Sequence, residues 1–132
     1  MIGFDFGATF FKITLVKPGQ PFTIVENTAS KRKTETMITL TDEGRIFGID
    51  SFMEQGKHPQ STFSQLQRYV GVKYDQGLVD RLKKERFVMN EIIADDRGLI
   101  GWKIERKLSN GTKTEETWFT EELIGQLLKY GR

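Results

Sequence analysis

The residues with the clearest chemical potential stand at the start of the chain, in Ile2-Gly3-Phe4-Asp5-Phe6-Gly7-Ala8-Thr9. Asp5 is a carboxylate inside an apolar run, where burial without a partner is expensive unless a cation compensates it. Magnesium is a natural compensator, because it keeps several waters and takes one or two carboxylates together with phosphate oxygens. Gly7 has no Cβ, so the backbone there can come close to a ligand. The amides of Gly7, Ala8, Thr9 and Phe10 could then converge on a phosphate as an anion-binding nest. Thr9 adds a hydroxyl. A purely structural hairpin would explain the same residues, so the bare pattern leaves both readings open.

Composition removes several other chemistries. The 132 residues include no cysteine, which excludes a disulfide scaffold and a cysteine-ligated zinc site. One histidine, His58, makes a histidine-rich metal site or a serine–histidine triad improbable. A net charge of +2 gives no argument for a nucleic-acid partner. No apolar run approaches the ~20 residues of a membrane span, so no membrane partner is expected. The length fits one domain of the usual ~100–150 residues, or a piece of one.

Several elements must position the opening motif. Met1 to Gly7 reads as a buried strand, Phe10 to Val16 as its hairpin partner, and Phe22 to Val25 as a third strand. Lys17-Pro18-Gly19-Gln20 is the turn between the last two. Asn27 to Thr36 is polar and basic and reads as a solvated crossing, or else as a phosphate or partner contact. Met37 to Leu40 and Arg45 to Phe47 are short strands joined at Asp42-Glu43-Gly44. Ile49 to Gln55 has Ile49, Phe52 and Met53 on one helical face. Ser61 is expected to cap a short helix that buries Phe63, Leu66 and Val70 before Gly71. Gln76 to Arg86 is a helix carrying Leu78, Val79 and Leu82 inward. Phe87 to Ala94 and Leu99 to Lys107 are strands around Asp95-Asp96-Arg97-Gly98, with Ile100, Trp102 and Ile104 alternating. Ser109-Asn110-Gly111-Thr112 signals a type I′ turn before a strand from Lys113 to Phe119. Thr120 is expected to cap a last helix, with Glu121 and Glu122 at its positive end and Leu123, Ile124, Leu127 and Leu128 as its stripe. That stripe wants a partner surface, so the chain is expected to continue past Arg132.

Other chemically able residues have plain readings. Trp102 and Trp118 fit core or cross-strand packing, Lys83 to Arg86 a wet helix end, and His58 the surface. Asn110-Gly111-Thr112 is also a glycosylation sequon, although a hairpin turn explains the Asn-Gly pair without it.

The order of these segments resembles the amino-terminal third of the nucleotide-binding domain of the 70-kDa heat-shock (Hsp70) chaperones, within the actin and sugar-kinase superfamily. Gly3 through Phe10 is similar to their Gly-Ile-Asp-Leu-Gly-Thr-Thr-Tyr. Asn27 to Thr36 resembles Asn-Asp-x-Gly-Asn-Arg-Thr-Thr-Pro-Ser, with Arg32 and Thr34 matching. Arg45 to Gly48 and Arg68 to Gly71 both resemble Arg-Leu-Ile-Gly, His58 to Thr62 resembles Asn-Pro-x-Asn-Thr, and Phe119 to Leu123 is similar to Tyr/Phe-x-Pro-Glu-Glu-Ile. Val16-Lys17-Pro18-Gly19 and Ser30-Lys31-Arg32-Lys33-Thr34 resemble the large endoplasmic-reticulum branch, the 170-kDa glucose-regulated or hypoxia-upregulated chaperones.

The resemblance implies an α/β fold of the actin-like ATPase type: a partial ribonuclease-H-like lobe with an inserted α+β subdomain. Residues 1–33 would supply the first strands and phosphate loop of lobe IA, 34–118 the lobe IB subdomain, and 119–132 a helix returning to lobe IA. It implies ATP or ADP with magnesium, held by Gly7, Ala8, Thr9 and Phe10, with Asp5 reaching the ion through water. The family's catalytic lysine is replaced by Gln67. A neutral amide lacks the point charge that stabilises the transition state, so hydrolysis should be slow. Ala8 replaces the first threonine of the phosphate loop. Implied partners are nucleotide and unfolded polypeptide clients, the latter through domains outside this chain. The compartment implied is the endoplasmic-reticulum lumen, with the cytoplasm as the alternative. A second function in that branch is nucleotide exchange on BiP, and a third, less well matched, is a sugar kinase.

Overall fold

The computed structural model describes residues 1–86, 88–107 and 110–131. The expected strand start at Phe87, the turn residue Ser109 and the last residue Arg132 lie outside them. Among the described residues, ten strands and three α-helices form a mixed α/β arrangement of three sheets.

The first sheet is the antiparallel meander read from the opening residues. Strands β1 (Ile2–Phe6), β2 (Phe10–Leu15) and β3 (Thr23–Ile24) lie in that order. Phe6 pairs with Phe11 and Asp5 with Lys12. The Pro18-Gly19 turn closes through Gln20 N–H to the Lys17 carbonyl at 3.2 Å, with Gly19 at φ +73°. Burial differs from expectation. β1, an edge strand, is largely exposed, with Ile2 at 69%. Two residues of the polar crossing also join this sheet: β4 (Thr34–Glu35) pairs with Phe10 and Phe11 of β2. Asn27 organises the crossing. Its Oδ1 accepts from the amides of Ala29 and Lys31, and its Nδ2 donates to the Lys33 carbonyl and Thr34 Oγ1.

The second sheet runs β6 (Arg45–Phe47), β5 (Met37–Leu40), β7 (Thr62–Ser64), all antiparallel. β7 corrects the expected helix after Ser61. Phe63 alternates into the core, Ile38 opposite it is fully buried, and Gln65 turns the chain at φ +53°. Only a 3₁₀ turn, Leu66–Arg68, follows, and Val70 stays exposed. Helix α1 (Gly48–Glu54) forms where periodicity placed it, but turned round. Ser51 is buried and its Oγ lies 2.7 Å from Thr39 Oγ1, while Ile49, Phe52 and Met53 face outward. Small residues let the helix sit close to the sheet. At Gly48 (φ +59°) a Cβ would lie 2.9 Å from Thr34 Cγ2.

The third sheet is β10 (Lys113–Phe119), β9 (Ile100–Lys107), β8 (Glu91–Ala94). Ile100, Trp102 and Ile104 are buried as their alternation requires. Lys107 pairs with Lys113, which centres the hairpin on Asn110 and gives an odd connection, not the two-residue type I′ turn expected. Helix α2 (Gln76–Arg86) starts at Asp75, whose Oδ1 accepts from the amide of Leu78, and buries Val79 and Leu82.

Helix α3 (Thr120–Tyr130) closes the core with Leu123 and Leu127, both fully buried. Thr120 is not its cap. The hydroxyl donates to the Ile100 carbonyl at 3.1 Å and accepts from Trp102 Nε1 at 2.9 Å, while Glu122 caps the Phe119 amide. Asp95, Arg97 and Glu121 tie the β8–β9 turn to this helix. Burial raises the Asp95 carboxyl, but the Leu99 amide and the Arg97 guanidinium outweigh it and hold it below its ordinary value. The Arg97 hydrogen bond likewise lowers Glu121. Leu123 and Leu127 meet Ile38, Leu66, Trp102 and Ile104 in one continuous core, against which Phe6 and Phe47 also pack. At the other end of α3, Tyr130 stacks on Phe47, and Gly131 sits so close that a Cβ would be 2.8 Å from the Phe4 ring. The last helix therefore returns to the first sheet.

Candidate functional site

The Gly7–Phe10 turn is held from several sides. Within the hairpin, the Gly7 amide donates to the Phe10 carbonyl at 3.1 Å. A Cβ on residue 7 would lie 2.6 Å from that same oxygen, so glycine is required first by the hairpin itself. Thr36, fully buried just after β4, donates its hydroxyl to the Gly7 carbonyl at 2.9 Å and its amide to the Thr9 carbonyl at 2.9 Å. Gln67 reaches across from the 3₁₀ turn and donates Nε2 to the Gly7 carbonyl and, at 3.4 Å, to the Phe6 carbonyl. Its Oε1 is buried without a partner among the described residues.

These contacts engage carbonyls and leave amides. The Gly7 amide is used inside the hairpin, whereas those of Ala8 and Thr9 have no acceptor among the described residues. Thr9 is exposed and Ala8 half-buried. Phe10 extends the platform, with Lys33 Nζ 4.7 Å over its ring. Beside them lies a cavity of about 260 Å³ lined by Ala8, Thr9, Phe10, Glu35, Phe52 and Gln65, among others.

Asp5 is placed differently from the expectation. Its side chain is 74% exposed and lies 4.0 Å from Lys12 Nζ, so no buried charge demands a cation. It remains on the strand that feeds the loop. Among the described residues no cluster of His, Asp or Glu could hold a metal alone. An ion at Asp5 would have to share phosphate and water oxygens, which is how magnesium is commonly held. The unengaged Ala8 and Thr9 amides beside the cavity suit an anionic group, and Asp5 is not among the residues that line it. Thr36 was missed by sequence reasoning, and so was the inward turn of Gln67. A threonine in Thr34-Glu35-Thr36 carries no local sign that it clamps a loop 29 residues away.

Residues 1–129 match the Hsp70 protein family. The chain belongs to that family. Among curated relatives, hypoxia up-regulated protein 1 of Xenopus tropicalis is 33% identical over 129 residues, covering 97% of this chain and 19% of the relative. The human protein of that name is 32% identical over 129 residues, covering 97% of this chain and 12% of its own length. The chicken protein stands at 32%, with the same coverage. The chain thus spans between about an eighth and a fifth of these Hsp70-family relatives. Membership of the Hsp70 family leaves the sugar-kinase reading without support.

Proposed function

We propose that this chain is the opening part of the ATP-binding domain of an Hsp70-type chaperone of the endoplasmic reticulum. The observation that carries this is the hairpin turn whose carbonyls are tied down by Thr36 and Gln67 while the Ala8 and Thr9 amides are left to an outside acceptor. Preorganised backbone donors of this kind bind phosphate without rearrangement. When bound, magnesium neutralises charge on the nucleotide's phosphates. Asp5 would hold the ion through water, Phe10 and Lys33 wall one side of the turn, and Gly7 keeps the hairpin tight. In this reading the first sheet and α3 belong to lobe IA. The hand-over to lobe IB then falls at Thr36, since β4 still pairs with β2. Likeness to the hypoxia up-regulated proteins supports the endoplasmic-reticulum compartment in this reading.

Gln67 favours a second role for the same site. Its amide nitrogen faces the Gly7 carbonyl and brings no charge to a γ-phosphate. Loss of one transition-state contact commonly costs about 10²–10³ in rate. Nucleotide would then set a shape more than it drives a hydrolytic cycle, which suits a co-chaperone acting on BiP. Calorimetric titration of the intact protein with Mg-ATP and Mg-ADP tests binding, and absence of saturable binding would refute the proposal. Single-turnover hydrolysis, compared with Gln67→Lys, separates the two roles. Faster hydrolysis in the lysine variant supports the second, and equal fast rates support the first.

A further inference from the structure

We infer that Asn110 is an acceptor site for an N-linked glycan, an inference that rests on the endoplasmic-reticulum reading above. Asn110-Gly111-Thr112 satisfies the sequon, with no proline between asparagine and threonine. All three residues are exposed at the tip of the β9–β10 hairpin. The base of that hairpin is fixed: the Lys107 amide donates to Asp42 Oδ1 at 2.9 Å, and Arg106 donates to the Thr41 carbonyl. The tip therefore projects from an anchored ladder into solvent.

The turn does not account for all three residue types. Gly111 is at φ +83°, which explains glycine. Asn110 Oδ1 accepts from the Thr112 amide at 2.9 Å, a bond that uses the backbone of residue 112 and not its side chain. The Thr112 hydroxyl has no partner among the described residues, so the fold gives no reason for threonine. The odd register also removes the type I′ turn that would by itself favour Asn-Gly. Asn110 Nδ2, the atom a glycan joins, likewise has no hydrogen-bond acceptor among the described residues.

The co-reactant is a lipid-pyrophosphate-linked oligosaccharide, presented by the membrane transferase of the secretory pathway. Asn110 Nδ2 forms a bond to C1 of the first sugar as the C1–O bond to phosphate breaks. The lipid pyrophosphate leaves with the electron pair, and the displaced amide proton passes to a base of the transferase. No oxidant or reductant is required.

The test uses the intact protein directed to the lumen of mammalian cells by a cleavable leader, with lumenal residence verified by protease protection. Glycan is released enzymatically in heavy-oxygen water and the peptide containing Asn110 is weighed. An occupied site becomes heavy-oxygen aspartate, whereas spontaneous deamidation of Asn-Gly before release leaves light aspartate. The expected result is heavy label at Asn110, and loss of one glycan-sized gel shift in both Asn110→Gln and Thr112→Ala. Thr112→Ala keeps the backbone bond of the turn, so misfolding does not explain its loss. Unmodified Asn110 in lumenal protein overturns the inference. Fractionation of the protein in its own cells is read separately: glycan on the leader-directed form with native protein outside the lumen overturns the compartment and leaves the acceptor site standing.

Discussion

Gln67 offers the sharpest perturbation of the phosphate loop, because its amide is the contact from outside the first sheet that reaches two consecutive carbonyls. Replacing it by alanine removes one short bond to the Gly7 carbonyl and one at 3.4 Å to the Phe6 carbonyl. A neutral hydrogen bond contributes about 0.5–1.5 kcal/mol net, and a bond at 3.4 Å contributes little of that. The Gly7 carbonyl keeps Thr36 Oγ1 at 2.9 Å, so it is not orphaned. Truncation also removes the unpartnered Oε1, which offsets part of the loss. The net effect of Gln67→Ala should be about 1 kcal/mol. Gln67→Glu sets a carboxylate against two carbonyls and removes the donor, and it should cost about 2–4 kcal/mol. Gln67→Lys retains a donor and should stay within about 1 kcal/mol of wild type. Amide hydrogen exchange in the intact protein reads this locally: about fivefold faster opening at Gly7 and β2 per kcal/mol lost. Equal protection in the glutamate and alanine variants would refute the assignment of Nε2 as the donor, and so would a glutamate variant as protected as wild type.

Further predictions concern the elements around the loop. Gly7→Ala places a Cβ 2.6 Å from the Phe10 carbonyl unless the hairpin opens, so it should lower stability by about 1–3 kcal/mol and weaken nucleotide binding together, seen in urea melts and calorimetry. Asp95 has a folded-state pKa below its unfolded value, so its contribution is present at neutral pH and is lost as pH falls through the folded pKa. The stability gap between wild type and Asp95→Asn should therefore be constant near neutrality and close below about pH 4, checked by urea melts across pH. Ser51→Leu should separate α1 from β5, since that side chain meets Thr39 at 2.7 Å with no room around it, and lower thermal stability by several degrees at about 1–3 kcal/mol.

Legibility in the sequence followed how local each signal was. The meander could be read because Pro18-Gly19 and the Ala8-Thr9 turn are punctuated in the chain itself, and β9 because Ile100, Trp102 and Ile104 alternate cleanly. Orientation was harder. Ile49, Phe52 and Met53 share a helical face, yet the helix docks by Gly48 and Ser51, because close approach and a Thr39 hydrogen bond decide its seat. Helical spacing of Phe63 and Leu66 was overridden by β5, whose free edge takes Thr62–Ser64 as a strand. Thr120 has the chemistry of a cap, but a buried indole N–H 18 residues away claims its hydroxyl. At the candidate site, the turn at Gly7, Ala8 and Thr9 was legible from its glycine and its place between two apolar runs. Asp5 was singled out for an expected burial, yet its side chain is 74% exposed on an edge strand beside Lys12. Thr36 and the direction of Gln67 belong to tertiary structure, and no neighbour in the chain announces them.

In the proposed function the amides of Ala8 and Thr9 receive the phosphates of a nucleotide. Nitrogen-labelled amide spectra of the intact protein, titrated with Mg-ATP, Mg-ADP and adenosine in parallel, test it at those atoms. Saturable shifts are expected at Ala8 and Thr9 with both nucleotides and none with adenosine, which carries no phosphate. Silent Ala8 and Thr9 amides under saturating Mg-ATP, or equal shifts with adenosine, would contradict it.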